Sequence, residues 1–233
     1  MILLGAIVNA AAIVAGSLAG AVLRNLSEET KDTVTKGIGL GVIALGIQMS
    51  FKAESFILVL ISLCLGAMIG ELAKIEDRMN RFGLYLEKRF AKSGSNFAEG
   101  FVTASLIFLV GSMAIIGAIE SGVSGNHQTL FTKSVMDGFM AIMLTATLGV
   151  GVLFSSVPVL LYQGIIAIAA SLLMGYVPEA LLDLLMTGIS GIGGLMILAI
   201  GLNITGLTKI RVSNYLPGII ILILLIIGQF YFF

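Results

Sequence analysis

The chain is poor in the residues that build most catalytic and metal sites. Its 233 residues include one cysteine, one histidine, three prolines and no tryptophan. A single cysteine, Cys64, excludes a disulfide within the chain, and His127 with only distant acids around it makes no metal-ligand set. Charge is equally scarce: 13 Lys and Arg balance 13 Asp and Glu, together 11% of the residues. There is no phosphate loop ending in GKS or GKT, no HExxH helix, and no basic aromatic face for nucleic acid. Gly37-x-Gly39-x-Gly41 has neither the preceding strand nor the following acid that a dinucleotide site requires. No catalytic residue, metal or cofactor is expected, and the chain does not read as an enzyme.

What is abundant is apolar surface. The sequence is 58% hydrophobic with a mean hydropathy of +1.09, a composition that excludes an ordinary soluble domain and implies an integral membrane protein whose first partner is the lipid bilayer. Charged residues fall in or close to the gaps between apolar runs, as the cost of charge in hydrocarbon demands. The opening run MILLGAIVNAAAIVAG has no Lys or Arg before it and no polar mature domain after it, so it reads as a retained first span. Cys64, in the middle of LISLCLGAMIG, reads as a small buried apolar residue. Serines inside the apolar runs have no histidine nearby to activate them.

A spanning helix needs about 20 apolar residues, and such windows can be placed eight times: 3–23, 37–51, 55–73, 97–119, 135–155, 159–177, 187–206 and 215–232. The second is short and would extend into the polar stretch before it. Positive residues test this layout, because cytoplasmic loops collect them. Alternate connections place Arg24, Lys31, Lys36, Lys74, Arg78, Arg81, Lys88, Arg89, Lys92, Lys209 and Arg211 on one side, against Lys52 and Lys133 on the other. Both termini are therefore expected outside the cytoplasm, in a multi-pass protein of a bacterial inner membrane. Between Lys74 and Lys92, Ile75, Met79, Phe82, Leu86 and Phe90 recur at helical spacing among charges. That pattern predicts an amphipathic helix lying on the inner leaflet.

The glycine-dense stretch GISGIGGLMILAIGLNIT at 188–205 has an echo in GIGLGVIALGIQMS at 37–50. Glycine is costly inside a helix, so its repeated use implies close backbone approach or helices broken at these points. A shift of 155 residues lays 44–48 on 199–203, and the order of parts in 3–73 matches that in 159–232. With eight spans the two copies start on opposite sides. The fold class expected is therefore an all-α polytopic bundle, one transmembrane domain over 1–233. Inverted three-helix repeats at 3–73 and 159–232 would flank a central helix pair at 97–155. Inverted repeats are a common plan for transporters, with the binding site near the midplane.

Four carboxamides lie within the spans: Asn9, Gln48, Gln163 and Asn203. Each offers a carbonyl and an NH2 group, and with backbone carbonyls freed at glycine breaks they would suit a dehydrated monovalent cation or a small polar solute. They are the expected substrate-binding residues; the opposing reading is simple hydrogen bonding between helices. Glu120 and Asp137 would close the outer ends of two spans and draw cations to an outer mouth. Gly16-x-x-x-Gly20 and Gly66-x-x-x-Gly70 allow close helix contact, within the chain or in a homodimer. The function expected is a carrier or channel for a small ion or polar solute; the rival is a scaffold or sensor that transports nothing.

The stretches MILLGAIVNAAAIVAGSLAG, GIGLGVIALGIQMS, GSMAIIGAIESGVSGNHQTLFTKSVMDG and GLNITGLTKIRVSNYLPG together resemble the bacterial integral-membrane family that contains YdfK and YqgA, a family of unknown function. The resemblance covers essentially the whole chain. It implies a bacterial inner-membrane protein and brings no substrate and no functional residues with it.

Overall fold

A computed structural model describes all residues except 23–26, 91–96, 111, 173–177 and 233. Among the described residues the regular structure is helical throughout, with no strand. In chain order the α-helices are α1 (Leu4–Val22), α2 (Glu28–Ser50), α3 (Phe56–Leu72), α4 (Ile75–Phe90), α5 (Phe97–Leu109) and α6 (Ser112–Val123). They continue with α7 (Gln128–Leu148), the short α8 (Gly151–Phe154), α9 (Ser156–Leu172), α10 (Glu179–Ile204), a 3-10 turn at Val212–Tyr215 and α11 (Leu216–Phe232). Among the described residues, five helices are long and apolar enough to cross a membrane: Leu4–Val22, Asp32–Ser50, Gly151–Leu172, Glu179–Ile204 and Val212–Tyr231. Two bent pairs, Phe56–Leu72 with Ile75–Arg89 at 58° and Phe97–Leu109 with Met113–Val123 at 59°, raise this to seven if each is one span.

Helix α3 buries mostly small side chains and exposes most of its large ones. On α3 the buried positions are Val59, Ser62, Gly66 and Gly70, while Phe56, Ile57, Leu60, Ile61, Leu65, Met68, Ile69 and Leu72 are exposed. Water would expel such a face; lipid accepts it, and small residues let helix backbones meet. Cys64 belongs to this outer face and is exposed, so the expectation that it is buried was wrong. A thiol is apolar enough to face lipid, so the inference from apolarity to interior fails here.

The chain divides into two units: 1–38, 80–109 and 113–174 form the first, and 39–79, 110–112 and 175–233 the second. In the first unit α1 lies along α7. A Cβ on Gly16 would sit 2.1 Å from the Gly138 carbonyl oxygen, and one on Gly20 2.3 Å from that of Ile142. Residue numbers rise together along both helices, so the two run parallel. In the second unit the two glycine stretches face each other. A Cβ on Gly201 would come within 2.9 Å of the Gly39 carbonyl oxygen, and one on Gly194 within 2.7 Å of that of Gly46. Here numbers rise on one helix as they fall on the other, so this pair is antiparallel. The core of the second unit is built on Val59, Leu181, Ile192, Leu222 and Ile226.

Two expectations change and one holds. Both glycine stretches are continuous helix within α2 and α10, without the breaks their composition suggested. Gly39, Gly46, Gly194 and Gly201 serve approach between the two helices, so no backbone carbonyl needs to be freed. The helix expected at 135–155 begins earlier, as α7, at Gln128, and ends at Leu148, capped by Gly149, whose φ of 93° is left-handed and easy only for glycine. This shift draws Lys133 and Asp137 into a helix interior. The helix expected between Lys74 and Lys92 is present as α4, with acids in its first turn and Lys88 and Arg89 in its last, as the helix dipole favours.

Candidate functional site: a buried amide and ion-pair cluster

The first unit buries a polar cluster that starts from one turn of α7. Lys133 and Asp137 are four residues apart, so a helix brings them to one face, and the Lys133 ammonium donates to the Asp137 carboxylate at 2.8 Å. The residues are only 8% and 6% exposed, which places a full ion pair inside the protein. On the opposite flank of α7, Val135, Met136 and Phe139 are exposed. The helix is polar inward and apolar outward.

Two amides complete the cluster. Asn9 of α1 donates through Nδ2 to Asp137 Oδ2 at 3.0 Å and to Gln163 Oε1 of α9 at 3.3 Å. Both amides are fully buried. A carboxylate can only accept, so Asn9 must turn its NH2 toward Asp137, and Gln163 must then offer its carbonyl to that NH2. The consequence is an unpaired remainder: Asn9 Oδ1 and Gln163 Nε2 are buried with no partner among the described residues. One is an acceptor and the other a donor. Leaving a buried polar group unsatisfied costs about 1–3 kcal/mol, so two together in one cluster are a cost that packing alone does not require. Ser17 Oγ on α1 and Thr145 Oγ1 on α7 are also buried and unpartnered in this unit. The backbone contact at Gly16 and Gly20 holds α1 and α7 close enough for Asn9 to reach Asp137.

Of the four amides expected to bind substrate, the structure brings Asn9 and Gln163 together. Gln48 is exposed on α2. Asn203, at the end of α10, closes a loop: its Nδ2 donates to the Ile210 carbonyl at 2.7 Å, and its Oδ1 accepts from the Ile210 N–H and the Thr208 hydroxyl, both at 2.8 Å. That amide is spent on the backbone. Asp137 is buried in the cluster instead of standing at an outer mouth, because Lys133 neutralises it within the helix. Glu120 lies on α6 with its Oε2 buried and unpartnered, beside Ser121, whose hydroxyl meets His127 Nδ1 at 2.9 Å. Among the described residues no group of three or more His, Cys, Asp and Glu is placed to hold a metal ion. Sequence reasoning missed Lys133, having taken it as a loop charge; the Lys-x-x-x-Asp spacing was the available signal.

The second unit has a different polar feature, which is a brace. At the turn between α3 and α4, where Lys74 has a φ of 52°, Asn214 accepts the Glu76 N–H at 2.8 Å and donates to Glu71 at 2.6 Å. Arg211 donates to Glu71 at 2.7 Å, and Glu76 accepts the Ser213 N–H at 2.9 Å. Both Asn214 side-chain atoms and both Glu71 oxygens are engaged, and the Ser213 hydroxyl is buried without a partner among the described residues. A cavity of about 530 Å³ in the same unit is lined by Glu54, Ser55, Thr187, Gln229 and apolar residues of α3, α10 and α11. It contains none of the four amides.

Residues 4–227 match a family described as "Protein of unknown function (DUF554)". The chain is 32% identical over 222 residues to the uncharacterized membrane protein YdfK of Bacillus subtilis (strain 168), covering 93% of each chain. It is 30% identical over 224 residues to the uncharacterized protein YqgA of Escherichia coli (strain K12), covering 94% of each. No solved structure matches.

Proposed function

The chain belongs to the DUF554 family of proteins of unknown function, and we propose that it is a membrane transport protein, a carrier or channel for a small ion or small polar solute. The observation that carries this reading is the pair of fully buried amides with an unspent acceptor and donor against a buried carboxylate. Ionisable residues inside membrane helices mark solute pathways more often than they mark packing. In this reading the protein sits in the bacterial inner membrane with eight spans and both termini outside. The eighth span is α7, whose apolar outer flank offsets its inward charges.

Inverted repeats of α1–α3 and α9–α11 belong to the same reading. Their support is that a shift of 155 residues carries Gly39 to Gly194 and Gly46 to Gly201, exchanging the two glycine contacts with each other. A shift of 154 carries Asn9 to Gln163, the two amides that bond each other. A pair related by a twofold axis behaves in this way.

The rival reading, a scaffold or sensor that transports nothing, draws its support from the satisfied amide of Asn203 and from the amphipathic α4. The test is the melting temperature of the purified protein against ions, amino acids and small organic acids, since a ligand that binds only the folded state must raise it. A saturable rise that Asn9→Ala abolishes, followed by flux in reconstituted vesicles, supports transport. If nothing raises the wild type and Asn9→Ala only melts earlier, the scaffold stands.

A further inference from the structure

The cluster has one feature that a site for a neutral solute would not need, a fixed cation already seated on its only carboxylate. Two side-chain oxygens, Asp137 Oδ2 and Gln163 Oε1, converge on the Asn9 amide nitrogen at 3.0 and 3.3 Å, and a third oxygen, Asn9 Oδ1 on that same amide, has no partner among the described residues. Oxygen donors of this kind suit hard cations. The positive charge of the cluster, the Lys133 ammonium, is already committed to Asp137 at 2.8 Å, which leaves an anion only the neutral Gln163 Nε2 donor. The formal charge that Asp137 can balance is one, which matches a monovalent cation and leaves a divalent one in excess.

Resting on the transport reading above, we propose that the site takes a monovalent cation and that Lys133 is its built-in competitor. With no ion bound, the ammonium neutralises Asp137 and keeps the buried charge balanced. When an ion arrives, a half turn of the Asn9 amide brings Oδ1 to the place its NH2 group held, and Asp137 and Gln163 supply the other oxygens. Lys133 then gives up the carboxylate. Its α-carbon is five residues into α7, roughly 7–8 Å from the helix start at 1.5 Å per residue. Its flexible stem can carry the ammonium toward that end, as lysines near helix ends do. Ion and ammonium exclude each other on one carboxylate, so the apparent affinity is the intrinsic one reduced by the fraction of molecules in which Lys133 has let go.

The experiment measures melting temperature of the full-length protein in detergent while sodium, potassium or lithium chloride replaces N-methylglucamine chloride at constant ionic strength. The variants are Lys133→Gln, Lys133→Arg, Asp137→Asn and the double variant Lys133→Gln/Asp137→Asn. Removing the competitor should lower the half-saturating concentration of the preferred ion by about tenfold or more. Lys133→Arg, with a planar fork that grips a carboxylate at two points, should raise it. Both variants lacking the carboxylate should show no saturable response. The double variant has no unpaired charge and serves as the folded control.

Equal ion responses in wild type, Lys133→Gln and Lys133→Arg would overturn the competition. If Lys133→Gln does not accumulate, Lys133→Arg against wild type decides alone: an unchanged half-saturation refutes the proposal. A saturable response to a neutral solute or an anion, lost in Asn9→Ala and without any alkali-ion response, would sink the cation assignment while leaving the transport reading intact. No response to any probe in any variant would remove both.

Discussion

Asn9 and Asn203 carry the same functional group and put it to opposite uses. Asn203 satisfies an N–H, a C=O and a hydroxyl of its own loop, so Asn203→Ala should cost stability, about 1–3 kcal/mol for the groups it leaves unpaired. It should leave the ligand response of the folded protein unchanged; thermal melts with and without ligand check both. Asn9 retains a free carbonyl, so Asn9→Ala should abolish that response, and it should also lower stability by about 1–3 kcal/mol for each buried acceptor it strips of a donor. The ion pair beside it behaves differently again. Lys133→Ala or Asp137→Ala alone strands a buried charge, a loss of about 3–5 kcal/mol, whereas replacing both with apolar residues should cost much less than the two losses added. A double-mutant cycle in denaturant or heat measures that coupling. The two amides of the cluster were legible in the sequence, because any amide inside an apolar run is conspicuous. Lys133 and Asp137 were harder to see, since a charge is expected to mark a loop until its partner one turn away is recognised.

At the level of helices, glycine separates into two kinds by what surrounds it. A Cβ at Gly39 would lie 2.5 Å from Thr205 and at Gly46 2.4 Å from the Leu198 nitrogen, while at Gly37 and Gly41 nothing lies within 4 Å. Gly46→Ala should therefore separate α2 from α10 and lower stability by roughly 1–3 kcal/mol, the usual range for overpacking. Gly41→Ala, on the same helix, should be neutral or stabilising by up to about 1 kcal/mol, because alanine is the better helix former. Matched melting curves of the two variants test the distinction. Sequence showed that these stretches are special and that they echo each other. It did not separate the reasons a helix uses glycine, since a break and a close contact call for the same residue. The echo also suggested that Gln48 and Asn203 would share an environment; an exposed amide and a loop-closing one show that similar sequence does not guarantee equivalent surroundings.

For the molecule as a whole, apolar composition made the membrane class and the helical fold plain, and helix existence was readable wherever a long apolar run met a polar gap. The margins were less legible: α7 begins seven residues before its expected start because Lys133 and Asp137 cancel each other, which a residue-by-residue hydropathy sum cannot register. The eight-span reading predicts that a cysteine at Asn126, introduced into a Cys64→Ala background, is labelled by a membrane-impermeant maleimide from the same side as both termini. Labelling from the opposite side, in intact cells carrying tags at each end, would remove that topology. The ion pair also bears on how the protein is made. Because both charges lie one turn apart on a single helix, α7 carries its counter-ion with it as it leaves the ribosome. In the eight-span reading it enters the bilayer as a neutral segment, before α9 has been synthesised and without waiting for a neighbour to compensate it. The order of membrane insertion is, on that reading, relaxed by a contact within one helix, and only later, when α1 and α9 close around it, does the same pair become the floor of the proposed site.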